Sequence, residues 1–131
     1  MTVTRTDVLV RFCETDLMGI VHHANYLAWF EVGRVAWLKE RGFSYDTWVA
    51  AGLHLPVVEA KVRYRKAARF DDVLTIETEV GKVTRVTLLF VYRVLRGDEV
   101  VAEGETLLAC VDGAMRPQRL PTAITRALAA G

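Results

Sequence analysis

The sequence has little cysteine, no excess charge of either sign and no long hydrophobic run, and each absence excludes something. Cys13 and Cys110 are the only two cysteines in 131 residues. They lie far apart, each in an apolar strand-like pattern. That spacing excludes a disulfide-stapled scaffold and reads as two reduced, buried thiols. The net charge is +1, so no global field draws in nucleic acid or a membrane surface, and any basic site must be local. A basic, aromatic platform for nucleic acid is also missing. No apolar run approaches the ~18 residues that read as a bilayer span. Met1-Thr2-Val3-Thr4-Arg5 has neither the apolar stretch nor the cleavage site of a secretory signal. The reading is a cytoplasmic protein without stable membrane insertion. There is no Gly-rich phosphate loop and no G-x-S-x-G elbow. No repeat, low-complexity tract or linker divides the chain, and residues 1–131 read as a single domain.

What is present is apolar surface. Hydrophobic residues make up 52% of the chain and charged residues 25%. The first figure is above the usual range, the second ordinary. A chain of this length buries a core unaided. The surplus points to surface covered by a partner chain, and a homodimer or homotetramer is expected.

Periodicity places the elements. Val3 to Cys13 reads as a strand. His23 to Arg41 reads as a helix of about five turns, stopped by Gly42 after Lys39 and Arg41 in the last turn. Its polar stripe is narrow (Glu31, Arg34, Arg41), which predicts a helix buried on most sides. Ser44 to Gly52 reads as a connection with a short helical turn. Leu55 to Lys66, Val73 to Val80, Thr84 to Leu95 and Val100 to Val111 alternate with period 2, with turns expected at Gly81-Lys82 and Arg96-Gly97-Asp98. Thr122 to Ala130 forms a short terminal helix. On the second face of Thr84 to Leu95, Leu89 and Val91 stand among Arg85, Thr87 and Arg93, a half-apolar outer surface that another subunit would partly cover. Tight turns between alternating strands mean antiparallel pairing. The fold class is α+β: one long central helix wrapped by a curved antiparallel sheet of about five strands.

The chemistry concentrates between the first strand and the long helix. Asp16 precedes Gly19 and a helix start, where free N–H groups and the positive end of a dipole favour anions. On spacing alone it reads first as a turn-capping aspartate. A carboxylate near such donors also suits attack on a carbonyl whose oxygen gains negative charge. His22 and His23 are adjacent, and neighbours on a helix or strand point in different directions, a poor chelate; His54 has no ligand spacing to either, so no metal site is expected. Cys13 lacks an activating motif. Asn25 and Tyr26 read equally as first-turn polar and core residues.

The segment Asp16-Leu17-Met18-Gly19-Ile20-Val21-His22-His23-Ala24-Asn25-Tyr26 resembles the D-x-x-G-[IV]-V-x-[HY]-x-N-Y signature of the hotdog-fold acyl-CoA thioesterases. The subfamily is that of 4-hydroxybenzoyl-CoA thioesterase and the YbgC-type enzymes. Tyr64-Arg65-Lys66-Ala67-Ala68-Arg69-Phe70-Asp71-Asp72-Val73-Leu74 is similar to the family's Y-x-x-P-A-x-x-D-D-x-L segment. The resemblance runs from about Val8 to Val111. It departs at Phe12, where YbgC-type members often carry Tyr, and at Ala67, which stands for the usual Pro.

The resemblance implies a hotdog fold and hydrolysis of a small aromatic or short-to-medium-chain acyl-CoA. The donor would be coenzyme A or acyl carrier protein. The alternative is a non-catalytic acyl-CoA-binding hotdog module. Asp16 becomes the catalytic carboxylate, as nucleophile or as general base for water. The His23 N–H polarises the thioester carbonyl, a contact worth ~3 kcal/mol in the transition state. Gly19, Asn25 and Tyr26 are implied in substrate binding by their motif positions. Arg85 matches a basic position that contacts the nucleotide end in 4-hydroxybenzoyl-CoA thioesterase, and Lys82 stands at the same hairpin. Glu31 matches the acidic position that reads the acyl hydroxyl there, and equally reads as the ion-pair partner of Arg34. Trp29, Phe30 and Trp37 are candidate pocket walls. No cofactor is implied, since coenzyme A is part of the substrate.

Overall fold

The computed structural model describes residues 3–130, so Met1 and Thr2 of the N-terminal segment lie outside the described residues. The elements run β1 (Thr4–Leu9), a 3-10 turn (Phe12–Glu14), α1 (Asn25–Glu40), α2 (Tyr45–Ala50), β2 (Val57–Tyr64), β3 (Val73–Val83), β4 (Thr87–Arg96), β5 (Glu99–Ala109) and α3 (Thr122–Ala130). All strand pairs are antiparallel, in the order β1-β3-β4-β5-β2. Hairpins join β3, β4 and β5, while β1 and β2 take the two edges. The expected antiparallel sheet around a long helix is therefore present.

Period-2 patterning builds the inner face. Leu88, Phe90, Tyr92 and Val94 of β4 are fully buried, as are Leu74 and Ile76 of β3. Against them lie Tyr26, Trp29, Phe30, Gly33 and Trp37, one stripe of α1 at helical spacing. Phe30 stacks on Tyr92 with centroids 4.2 Å apart, and Trp37 meets Phe90 edge-on. Trp29 meets Tyr26 in the same way. The three aromatics taken as candidate pocket walls are therefore core residues.

Helix and sheet come very close at Gly33. A Cβ there would stand 2.2 Å from Thr78 Oγ1 and 3.0 Å from Ile76 Cγ2. Only glycine lets α1 settle this far into β3.

The outer sheet face carries charge in register. Arg5 pairs with Glu77, Glu77 with Arg93, Arg93 with Glu103, and Glu103 with Arg63, one alternating row across all five strands. Glu77 accepts from Arg5 at 2.8 Å and Arg93 at 2.7 Å. Opposite charges facing each other across strands support the pairing.

Four expectations change. The N-terminal strand ends at Leu9 rather than Cys13, because the chain turns into the 3-10 segment. That exit leaves Cys13 exposed, while Cys110 is buried and burial pushes its thiol pKa up. Gly81-Lys82 is a bulge inside β3 and not a turn. A glycine in a strand marks either, and the turn lies three residues on, where Thr84 Oγ1 accepts the Thr87 N–H at 2.9 Å. The long helix, finally, is buried along one stripe only. Leu27, Val32 and Val35 remain 41–45% exposed, because a single five-stranded sheet covers one side of it.

Candidate active site

Thr15 to Val21 forms a tight hairpin, with Thr15 bridging Val21 and the Asp16 N–H donating to the Ile20 carbonyl at 2.9 Å. The Gly19 N–H donates to the Asp16 carbonyl at 2.9 Å, and Gly19 has φ +77. This is the three-residue loop whose last position needs a left-handed conformation. The Asp16 side chain caps the loop through Oδ1, which accepts the Met18 N–H at 2.8 Å. The turn-capping reading is thus met by one carboxylate oxygen. Among the described residues the other oxygen, Oδ2, makes no hydrogen bond with the protein.

The chain then crosses to α1. The Val21 N–H donates to the Ala68 carbonyl at 2.8 Å, and Ile20 bridges Arg69. This hairpin therefore lies against the segment that carries the second motif. The His22 N–H donates to the Glu14 carbonyl at 2.8 Å, and His22 Nδ1 accepts the Ala24 N–H at 3.2 Å. The Asn25 side-chain amide donates to the carbonyls of Glu14 at 2.8 Å and His22 at 3.2 Å. Asn25 thus ties the loop to the helix, and its amide N–H groups are occupied by backbone.

The first helical bonds run from Asn25 N–H to the His22 carbonyl and from Tyr26 N–H to the His23 carbonyl. Among the described residues the His23 N–H has no protein acceptor. It is one of the orphan donors of a helix start, at the positive end of the dipole. Tyr64, at the end of β2, donates its hydroxyl to the His23 carbonyl at 3.0 Å and meets Tyr26 edge-on. Burial raises the pKa of both tyrosines above the ordinary value, so each stays a neutral donor at physiological pH.

Asp16, His23, Tyr26 and Tyr64 line one cavity of about 310 Å³ together with Lys66 and Ala67. Of the sequence-predicted residues, Asp16, His23 and Tyr26 meet here, with Gly19 in the adjoining turn. Tyr64 and Lys66 were not among them. Tyr64 opens the second motif, which was the available signal, but its contact with His23 spans 41 residues.

Three predicted residues do not join them. Glu31 lines a separate cavity between α1 and α2, where its Oε2 lies 3.5 Å from Arg34 Nη2, the ion-pair reading. Lys82 lines a third hollow, on the sheet, with Lys61 and Glu105. Arg85 is exposed beyond β3, and its carbonyl accepts the Leu120 N–H. Both basic residues stand at the β3–β4 hairpin, where Val83 pairs with Leu88. Tyr64 pairs with Ala102, which faces Val94 near the other end of β4. Six residues of strand separate these ends, about 20 Å. Among the described residues no cluster of three or more His, Cys, Asp or Glu could hold a metal ion, and no helix is long and apolar enough to cross a membrane.

Residues 10–128 match the thioesterase-like superfamily. The chain is 34% identical over 125 residues to the acyl-CoA thioester hydrolase YbgC of Escherichia coli O6:H1, covering 94% of this chain and 93% of that one. It is 35% identical over 122 residues to the acyl-CoA thioesterase YbgC of Haemophilus influenzae, covering 92% and 90%. Among solved structures, the DHNA-CoA thioesterase of Staphylococcus aureus superposes with a TM-score of 0.94 at 30% identity, covering 99% of this chain and 91% of that one.

Proposed function

From the premise that this chain belongs to the thioesterase-like superfamily, with the hotdog fold, we propose that it is an acyl-CoA thioesterase whose hydrolysis depends on Asp16. One observation carries the mechanism: among the described residues an Asp16 carboxylate oxygen and the orphan His23 N–H have no protein partner, and both residues line one cavity. The thioester carbonyl accepts the His23 N–H. Negative charge that builds on its oxygen is stabilised by that donor and the helix dipole. Asp16 either attacks the carbonyl carbon or takes a proton from the attacking water. In the first route the C–S bond breaks to release thiolate, and water then cleaves the mixed anhydride. In both, acyl-CoA and water become a free acid and coenzyme A. No cofactor is needed.

The acyl group is small and aromatic or short to medium in chain length. Acyl carrier protein is the second possible donor. A purely binding module has no use for a free carboxylate beside the carbonyl.

The separation of Lys82 and Arg85 from Asp16 supports a dimer. β2 is an open edge strand with Val57, Val58 and Tyr64 exposed. Its end, Tyr64, lines the Asp16 cavity. A second copy pairing along β2 therefore borders the site, and an antiparallel two-fold carries that copy's far end toward it. The exposed Leu27, Val32 and Val35 on α1 offer a further face for a tetramer.

The test is Asp16→Asn, assayed on an acyl-CoA panel with free-thiol detection. Turnover is expected to fall by roughly 10²–10⁴-fold, with circular dichroism unchanged. A variant that keeps wild-type turnover would falsify the mechanism.

A further inference from the structure

The cavity between α1 and α2 has a volume of about 530 Å³, the size of a small-molecule site. Its wall is largely apolar, with Phe43, Trp48, Leu55 and Leu108. Arg34 stands in that wall, its side chain only 13% exposed. The other charged groups, Glu31, Lys39 and Asp46, are exposed at the rim. Half-buried His54 and exposed Tyr45 complete the titratable set.

Arg34 has five N–H donors in a rigid fork. Among the described residues its one ion pair is the 3.5 Å contact to Glu31, whose side chain is 67% exposed. The positive charge of Arg34 also acts on the Tyr92 hydroxyl, which is already paired with Thr106 at 2.6 Å. A guanidinium this far from water with so few partners is costly alone. A carboxylate matches its fork with two parallel hydrogen bonds.

We propose that this cavity binds a carboxylic acid with an apolar or aromatic body, its carboxylate on Arg34 and its body against Phe43 and Trp48. Two sources share that chemistry: a free acid, such as the one thioester hydrolysis releases, and the far carboxylate of an acyl group still joined to coenzyme A. Only the choice between them rests on the thioesterase reading.

The test is calorimetry on the full chain with benzoate and hexanoate as probes, against benzamide and hexanamide as uncharged isosteres. The acids are expected to bind the wild type at least tenfold more tightly than the amides. Arg34→Met loses that preference and Arg34→Lys keeps part of it, with thermal unfolding reporting that each variant folds. Should Arg34→Met fail to fold, Arg34→Lys and the acid–amide comparison on the wild type still decide. Equal binding of acid and amide overturns the proposal. So does acid binding unchanged in Arg34→Met, or no heat at ~10 mM benzoate, a concentration that exposes even weak sites. A kcat/KM preference for adipoyl-CoA over hexanoyl-CoA that vanishes in Arg34→Met identifies the far carboxylate. Inhibition by benzoate at its calorimetric Kd, with no such preference, identifies the free acid. If neither thioester is hydrolysed and benzoate still binds, the thioesterase reading fails and this site stands.

Discussion

Gly33→Ala puts a methyl group where α1 lies tight against the sheet. In the middle of an exposed helix the change would gain ~0.8–1 kcal/mol in helix propensity. Here the new Cβ falls 2.2 Å from Thr78 Oγ1, roughly 1 Å inside ordinary contact, and 3.0 Å from Ile76 Cγ2. Neither neighbour can yield into solvent, since Thr78 and Ile76 are both fully buried. Overpacking of a close-packed core costs about 1–3 kcal/mol, and two immobile neighbours place this case near the upper end. The propensity gain offsets only part of that, leaving a net loss of about 2 kcal/mol. For a domain of this size the loss lowers Tm by about 8 °C. Urea unfolding followed by circular dichroism measures it as a shift in midpoint at constant m. Thr78→Ala in the Gly33→Ala background removes the clashing oxygen. Its hydroxyl has no hydrogen-bond partner to lose, so the double-mutant cycle should show a coupling of about 1 kcal/mol in the rescuing direction. A Gly33→Ala protein as stable as wild type, or an additive cycle, refutes the argument that this contact sets the depth of α1.

Tyr64→Phe removes the hydrogen bond to the His23 carbonyl, and is expected to cost about 0.5–1 kcal/mol and to lower kcat. Steady-state kinetics with unchanged kcat would remove its positioning role. Burial raises the Glu77 carboxyl pKa, but hydrogen bonds from Arg93 and Arg5 outweigh it and hold the group below its ordinary 4.5. Its ionised form therefore stabilises the fold above that value, and the contribution disappears as pH falls through the depressed pKa. Denaturant midpoints from about pH 5 to pH 3 should drop further for the wild type than for Glu77→Gln, and parallel curves would contradict this. Sedimentation at micromolar concentration should show a dimer or tetramer, and a stable monomer there would count against β2 pairing.

Several features were legible because they are local. The inward row Leu88, Phe90, Tyr92, Val94 follows from alternation, and the length of α1 from helical spacing and Gly42. The Asp16–Gly19 loop is written in its residues, since a type I turn closed by a left-handed position wants Asp first and Gly last. Gly81 was misread because a glycine in a strand marks a bulge as readily as a turn. Cys13 was misplaced because nothing in its neighbours signals that the strand stops at Leu9. That Glu31, Lys82 and Arg85 stand apart from Asp16 within one copy was not legible for another reason. Motif positions carry no distances, and one copy of the chain holds these groups at different places in the fold.

By itself the sequence determined the element types, the antiparallel pairing and a carboxylate one tight turn before a helix, because these depend on neighbours within a few residues. Tertiary structure alone decided which donors stay unpaired. The His23 N–H is an orphan donor of a helix start that Asn25 and Tyr64 hold in place through the carbonyls of Glu14, His22 and His23. Arg34 is enclosed where residues of α1, α2 and β5 line one cavity. The depth of the helix is set where Gly33 meets Thr78, 45 residues on in the chain. Such contacts join distant segments, and their energies come from burial and geometry that no local pattern records.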